Sequence, residues 1–177
     1  MVNEAFLFAL EAHKAQRRKG GEPYIVHPFE VAIELAKNGA DDDLICAGLL
    51  HDVIEDAGVT KEELTEKFSN SVCELVLSDS EDKSLTWEER KQITLDSIAK
   101  DPDRRHKMLV CADKLANIKS MTKEYEAKGD ELWTLFKRGK DKQEWLFRSF
   151  VEVLKPIEDL PMYQEFAKCV NSFFDSI

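Results

Sequence analysis

Apolar residues recur three and four positions apart along almost the whole chain, and this spacing constrains the fold more than any other feature. It is clear over residues 5–15, 31–36, 44–50 and 108–118. A period near 3.6 residues indicates helices with one buried face. We find no alternating segment bounded by turn residues that would predict a strand. The pattern therefore predicts an all-α fold, with about eight helices at ordinary helix lengths.

Capping residues mark several of the predicted helix starts. Thr60 and Thr86 each precede a glutamate by three positions, which is the capping-box pattern. Aspartates open a helix that we expect to run without a break over residues 41–55. Two further helices are predicted over residues 132–154 and, at the C-terminus, over residues 157–177.

The length and composition fit one globular domain over residues 1–177. No apolar run approaches the roughly 18 residues that a membrane span needs. Residues 1–10 lack the basic start of a signal peptide, so we expect a cytoplasmic protein. The formal net charge of -10 argues against nonspecific binding to nucleic acid or to an anionic membrane. Homo-oligomer formation stays open.

Residues 50–56 place an imidazole and several carboxylates in an otherwise apolar helix. Burying these groups without partners would be costly. His51 and Glu55 are four positions apart, as are Asp52 and Asp56, so each pair would lie on adjoining stripes of one helix. A bound cation would neutralise the group and separate its carboxylates. The alternative explanation is that these polar residues form a solvated helix end, and without further ligand candidates elsewhere in the sequence we would favour it.

Two other segments supply matching side chains. His27 lies between a turn and a helix opened by proline, which is a rigid position for a ligand, although such a histidine is more often structural. Asp113 and Asn117 lie four positions apart in an otherwise apolar helix, where an isolated buried aspartate would be costly. Two histidines and two aspartates form a mixed nitrogen and oxygen shell, which suits manganese, iron or a similar ion.

Three sequence words carry a resemblance to a known family. They are RKGGEPYIVHP at 18–28, LLHDVIED at 49–56 and ADKLAN at 112–117. Their order matches the H…HD…D signature of the HD-domain phosphohydrolases, and the words resemble the hydrolase domain of the Rel/SpoT alarmone enzymes over residues 3–155. The synthetase domain of those enzymes would have to follow, and the chain ends at Ile177, so it resembles a small hydrolase-only member.

The resemblance implies an HD-type helical bundle, one bound manganese ion and removal of the 3′-pyrophosphate of ppGpp or pppGpp to give GDP or GTP. By the same resemblance, the metal ligands are His27, His51, Asp52 and Asp113. The acids that assist the attacking water are Glu55 and Asp56. The residues that contact the substrate are Arg18, Lys19 and Asn117.

Some segments depart from the bifunctional members or stay open. Residues 78–85 are polar, predict a solvated loop and can border the substrate, so base preference is open. Ala116 stands where many relatives carry histidine or tyrosine. Residues 137–144 are basic, and they either reach substrate phosphates or form a solvated surface. His106 lies among basic residues and predicts an exposed basic face.

Two other functions fit the same residues. The first is an HD phosphatase for another nucleotide, such as NADPH or a deoxynucleotide, because a metal and basic residues recognise phosphate and not the base. The second belongs to a different class and is a non-catalytic nucleotide-sensing module. Its sequence mark would be loss of a metal ligand or of the acidic pair, and all of these residues are present.

Overall fold

The computed structural model describes residues 1–78 and 84–177, and it contains no strand within these ranges. The all-α prediction is therefore confirmed. The α-helices in the described ranges are α1 Val2–Ala12, α2 Val26–Lys37, α3 Asp42–Leu50, α4 Val53–Ala57, α5 Lys61–Lys67, α6 Asn70–Leu77, α7 Trp87–Lys100, α8 Arg104–Lys128, α9 Gly139–Val153 and α10 Pro161–Asp175. Two 3-10 helices, Gly129–Leu135 and Lys155–Ile157, complete the described elements.

Two of the predicted helices are interrupted, which raises the number above the expected eight or so. The helix expected over residues 41–55 ends as α3 at Leu50 and resumes as α4 at Val53. The helix expected over residues 132–154 is divided into a 3-10 helix and α9. Gly139 begins α9 with a φ of 68°, a left-handed conformation that a glycine adopts without strain.

Helix α8 forms the centre of the fold, and α2, α3 and α10 pack against it. Helix α2 also packs closely on α3. Gly48 permits this approach, because a Cβ atom there would lie 2.6 Å from Leu35 Cδ1. The close packing holds the start of α2 near the end of α3, and the candidate metal ligands lie at these two helix ends.

The prediction for His106 is wrong, as the junction between α7 and α8 shows. His106 is buried, not on an exposed basic face, and its Nδ1 atom lies 2.5 Å from Asp101 Oδ2. Lys107 is also buried, and its ammonium group donates to the carbonyl oxygens of Ile98, at 2.7 Å, and Asp101. These bonds satisfy carbonyl groups at the end of α7. Both basic side chains therefore hold two helices together.

The loop predicted over residues 78–85 falls mostly on residues 79–83, which lie outside the described residues. The C-terminal helix predicted over residues 157–177 appears as α10, and it packs on both α8 and α9. None of the helices in the described ranges is long and apolar enough to cross a membrane.

Candidate metal centre

Four side chains from separate elements meet in the core. His27 comes from the start of α2, His51 and Asp52 from the junction of α3 and α4, and Asp113 from the middle of α8. His27 Nε2 lies 3.0 Å from Asp113 Oδ1, and His51 Nε2 lies 3.1 Å from Asp52 Oδ2. The crossed distances are 3.6 Å for His27 to Asp52 and 3.7 Å for His51 to Asp113. All four predicted ligands therefore face one point.

The two carboxylates and the His51 ring can present acceptor atoms to this point. His51 Nδ1 donates to the carbonyl oxygen of Gly48 at 2.8 Å, so in the neutral ring the Nε2 atom presents a lone pair to the centre. That lone pair faces His27 Nε2 at 3.3 Å. His27 Nδ1 is buried and has no hydrogen-bond partner in the described ranges. Two imidazoles and two carboxylates that converge in the core favour a bound cation or proton between them.

The geometry fits a divalent transition metal. His27, His51 and Asp113 each offer a ligand atom, and these atoms all lie within 4.8 Å of one another. Asp52 is outside that mutual set, but its Oδ2 atom is close to both imidazoles. The bond from His51 to Gly48 orients the ring from behind, as is usual for histidine ligands. A mixed nitrogen and oxygen shell of this kind suits manganese or iron.

Burial and charge act in opposite directions on the pKa values at this centre. Burial dominates for His27 and lowers its pKa. Burial also acts to lower the pKa of His51, but the Asp52 and Asp113 carboxylates overcome it and raise that pKa well above its ordinary value. Burial acts to raise the pKa of Asp113, yet Lys114 and the two imidazoles hold it well below the usual range. The centre therefore strongly favours a positive charge among its carboxylates.

Tyr24 joins the centre to the neighbouring acidic residue. Its hydroxyl lies 2.7 Å from Asp52 Oδ2 and 2.8 Å from Asp56 Oδ2. Burial and the two carboxylates raise the pKa of Tyr24, so the hydroxyl keeps its proton. Tyr24 is not among the predicted site residues, although it lies three positions before His27 in the same sequence word.

A buried histidine supports Tyr24 from the opposite side. The His13 ring stacks on the Tyr24 ring at a centroid distance of 4.8 Å. His13 Nδ1 lies 2.6 Å from Gln16 Oε1, and the Gln16 amide donates to the backbone oxygen of Asp56. His13 is therefore a packing residue that connects the segment after α1 to α4.

The two predicted catalytic acids differ in position. Both lie on the short helix α4. Asp56 lines the cavity at the metal centre, whereas Glu55 is not among its lining residues. The Asp56 amide donates to the Asp52 carbonyl oxygen at 2.9 Å, so the two aspartates stay one turn apart despite the break in the helix.

The cavity beside the metal centre has a volume of about 490 Å³, and all three predicted substrate residues line it. Arg18 Nη2 donates to Asn117 Oδ1 at 2.8 Å, and Asn117 Nδ2 donates to Asp113 Oδ1 at 2.6 Å. Lys19 lies over the Phe136 ring, 3.8 Å from its centroid. Arg18 and Lys19 thus form a cationic wall, which Asn117 links to Asp113, and this wall could bind phosphate oxygens.

Comparison with known proteins gives a consistent result. A family model described as "HD domain" matches residues 5–139. A guanosine-3′,5′-bis(diphosphate) 3′-pyrophosphohydrolase of Aquifex aeolicus is 40% identical over 125 residues, which cover 68% of this chain and 18% of that protein. The chain therefore spans less than a fifth of the length of the curated relatives that it matches first.

Solved structures resemble the chain over most of its length. A crystallised protein of Listeria monocytogenes EGD-e superposes with a TM-score of 0.78 at 35% identity, covering 84% of this chain and 99% of that one. A metazoan orthologue of SpoT, described as hydrolysing ppGpp, superposes with a TM-score of 0.82 at 26% identity, covering 97% of this chain and 94% of that one. The chain belongs to the HD-domain family and, within it, resembles the (p)ppGpp 3′-pyrophosphohydrolases.

Proposed function

We propose that this chain is a metal-dependent phosphohydrolase that removes the 3′-pyrophosphate of ppGpp or pppGpp and releases GDP or GTP. The observation that carries the proposal is the buried set of acceptor atoms at one wall of a cavity with cationic side chains. The Aquifex aeolicus relative and the metazoan orthologue of SpoT support the choice of nucleotide, because their descriptions name this activity or substrate.

One divalent ion, manganese, is proposed to bind to His27, His51, Asp52 and Asp113. The distances of 3.0 to 3.7 Å between the imidazole and carboxylate atoms support this ligand set. When bound, such an ion lowers the pKa of a water molecule and neutralises charge on a phosphoryl group. The mixed donor set favours manganese or iron over magnesium, which prefers oxygen ligands.

Asp56 and Glu55 are proposed to assist the attacking water. Asp56 lines the cavity, so its carboxylate could orient a water molecule and accept a proton from it. The Tyr24 hydroxyl holds this carboxylate beside Asp52. Glu55 lies outside the cavity lining, and we expect it to contribute less directly than Asp56.

Arg18, Lys19 and Asn117 are proposed to bind the nucleotide. Guanidinium and ammonium groups form charge-assisted hydrogen bonds with phosphate oxygens. Asn117 holds the Arg18 side chain in place at 2.8 Å and also contacts a metal ligand. A local cationic wall is needed because the chain as a whole carries a formal charge of -10.

We propose that residues 1–177 act as one domain. Helix α10 packs on α8, which carries Asp113, and on α9, which contributes to the cavity through Gln143. The C-terminal helix therefore supports elements that line the site. The partner required by this proposal is a small nucleotide, and neither a nucleic acid nor a membrane is needed.

A parallel substrate assay tests the proposal. Purified protein with manganese is incubated with ppGpp and, separately, with NADPH, and the products are resolved by anion-exchange chromatography. We expect GDP and pyrophosphate from ppGpp, and no turnover by the His51→Ala variant. Release of inorganic phosphate from NADPH, with ppGpp unchanged, would instead identify a phosphatase for another nucleotide. Absence of both activities and of bound metal would identify a non-catalytic module.

A further inference from the structure

Exposed apolar side chains are concentrated on the first two helices. Five of the ten large apolar side chains that are exposed in the described ranges lie on α1 and α2. They are Leu7, Leu10, Val26, Phe29 and Ile33, and we call them together the α1–α2 surface. Single exposed apolar residues are ordinary on a protein surface, whereas a contiguous group of them marks an interaction site.

The α1–α2 surface is contiguous because the two helices meet at a pair of aromatic rings. The ring centroids of Phe6 on α1 and Phe29 on α2 lie 4.9 Å apart. Leu10 follows Phe6 by four positions, so both lie on one stripe of α1. Val26, Phe29 and Ile33 are three and four positions apart and form one stripe of α2. The two stripes therefore adjoin.

The α1–α2 surface continues into a groove of about 260 Å³ between α2 and α8. Val26 and Ile33 line the groove on the α2 side, and buried apolar side chains of α8 line it as well, namely Ala112, Leu115 and Ala116. None of the five residues of the α1–α2 surface lines the cavity at the metal centre. The surface is therefore distinct from the proposed nucleotide site.

Charged residues on the exposed stripe of α2 indicate which partner would fit. Glu30 and Lys37 are both exposed and lie seven positions apart, which is about two helical turns. Glu30 forms no ion pair within the described ranges, because Lys123, which lies near enough to feel its charge, pairs with Glu22 at 2.7 Å. Lys37 contacts Glu34 at 3.6 Å, and an exposed pair of this kind contributes little. Both charges are therefore available to a partner.

The order of these charges makes α2 complementary to a second copy of itself in antiparallel orientation. A two-fold axis that crosses α2 at right angles beside Ile33 places Glu30 of each copy opposite Lys37 of the other. Ile33 then contacts its own counterpart, because it lies next to the midpoint between the two charges. The symmetry repeats every contact, so one dimer contains two such ion pairs around an apolar centre.

We infer that the α1–α2 surface is a two-fold interface and that the protein forms a homodimer in solution. The two α2 helices pack against each other through Phe29 and Ile33, with the exposed leucines of α1 beside them. The formal charge of -10 on each chain opposes association, so burial of apolar surface supplies the attraction and the ion pairs fix the orientation. The second copy thereby supports α2, whose first turn carries His27, from its outer side.

Sedimentation velocity on the purified 177-residue chain, over a series of protein concentrations, tests the interface. We expect the native protein to sediment as a dimer. Ile33→Asp places a charge at the apolar centre and should raise the dimer Kd by about 100-fold or more. Ile93→Asp makes the same change at an exposed isoleucine of α7, outside the α1–α2 surface, and should leave Kd unchanged.

Circular dichroism and Tm check that both variants fold. A native protein that is monomeric at every concentration would refute the interface. Equal dimer Kd values for Ile33→Asp and Ile93→Asp would refute it as well, because the dimer would then form through another surface.

An exchange of charges tests the two-fold arrangement itself. Glu30→Lys and Lys37→Glu each place like charges opposite one another twice in the dimer, so each should raise Kd by about tenfold or more. The double variant reverses both ion pairs and should restore Kd to within about threefold of the native value. A double variant that associates no more tightly than the single variants would overturn the arrangement. These measurements use no substrate, so their outcome is independent of the proposed function.

Discussion

The Nε2 atoms of His27 and His51 lie 3.3 Å apart in the core, and each faces a carboxylate oxygen at about the same distance. The two imidazoles come from different helices and are nearly fully buried. Two imidazole lone pairs repel each other at such a distance, so either a metal ion or a proton on one ring lies between them. This relationship is the basis for predictions about metal binding.

Removal of one ligand should remove the metal. We expect Asp52→Ala or His51→Ala to lose both bound manganese and turnover, while the helical circular dichroism signal remains. The physical reason is that each variant leaves an incomplete shell with an uncompensated charge. Metal content by atomic emission, measured with activity, checks this. Asp159→Ala, on the exposed surface, is the control, and retained turnover in either ligand variant would refute the assigned shell.

The acidic pair should affect rate and not metal content. We expect Asp56→Asn to retain the ion and lower kcat by about 10²–10⁴-fold, because an amide cannot accept a proton. Glu55→Gln should also lower kcat, by a smaller factor, since Glu55 lies outside the cavity lining. Steady-state kinetics on metal-loaded protein measures both. An unchanged rate would remove the altered residue from the mechanism.

The Tyr24 hydroxyl should tune the metal affinity. Tyr24→Phe removes the bonds to Asp52 and Asp56 but keeps the ring that stacks on His13. Loss of a partner that orients a ligand typically weakens metal binding by about 10- to 100-fold. Calorimetric titration with manganese, alongside Tm of the apo protein, checks the effect. Affinity equal to that of the native protein would show that the hydroxyl does not orient Asp52.

The contact between α2 and α3 should depend on Gly48. We expect Gly48→Ala to lower the free energy of unfolding by about 1–3 kcal/mol, because the added Cβ atom overpacks the core. The nearest atom is Leu35 Cδ1 at 2.6 Å. Leu35→Val removes that atom, so the double variant should be less destabilised than the sum of the single variants. Urea unfolding measures all three, and strict additivity would contradict the steric explanation.

Acid should weaken the junction of α7 and α8. Burial acts to raise the pKa of Asp101, but hydrogen bonds from the Asp103 amide and His106 hold it below its ordinary value. A carboxylate with a lowered folded pKa stabilises the fold above its unfolded pKa, and this contribution is lost as the pH falls through the folded pKa. The Tm advantage of the native protein over Asp101→Asn should therefore shrink between about pH 6 and about pH 3. A constant Tm difference would exclude this linkage.

Helix starts that depend on a few adjacent residues are predicted correctly from the sequence. The capping boxes at Thr60 and Thr86 both form as predicted. The breaks at His51 and Gly139 were missed. His106 was assigned to the surface from its basic neighbours, whereas its contact with Asp101 across a helix junction buries it. The residues that flank a histidine along the chain do not specify which side of its helix another helix will cover.

The sequence by itself determined an all-helical chain and four candidate ligands in three separate words. The spacing of apolar residues predicts the helices, and the residue types predict the ligands, because both can be identified without the tertiary structure. Only the tertiary structure decided that those ligands lie within hydrogen-bond distances, that Tyr24 bridges two carboxylates, and that Gln143 of α9 lines the cavity. These relationships depend on how closely α2, α3, α8 and α9 pack. Packing distance is set by side chains far apart in sequence, such as Gly48 and Leu35, and not by any one segment.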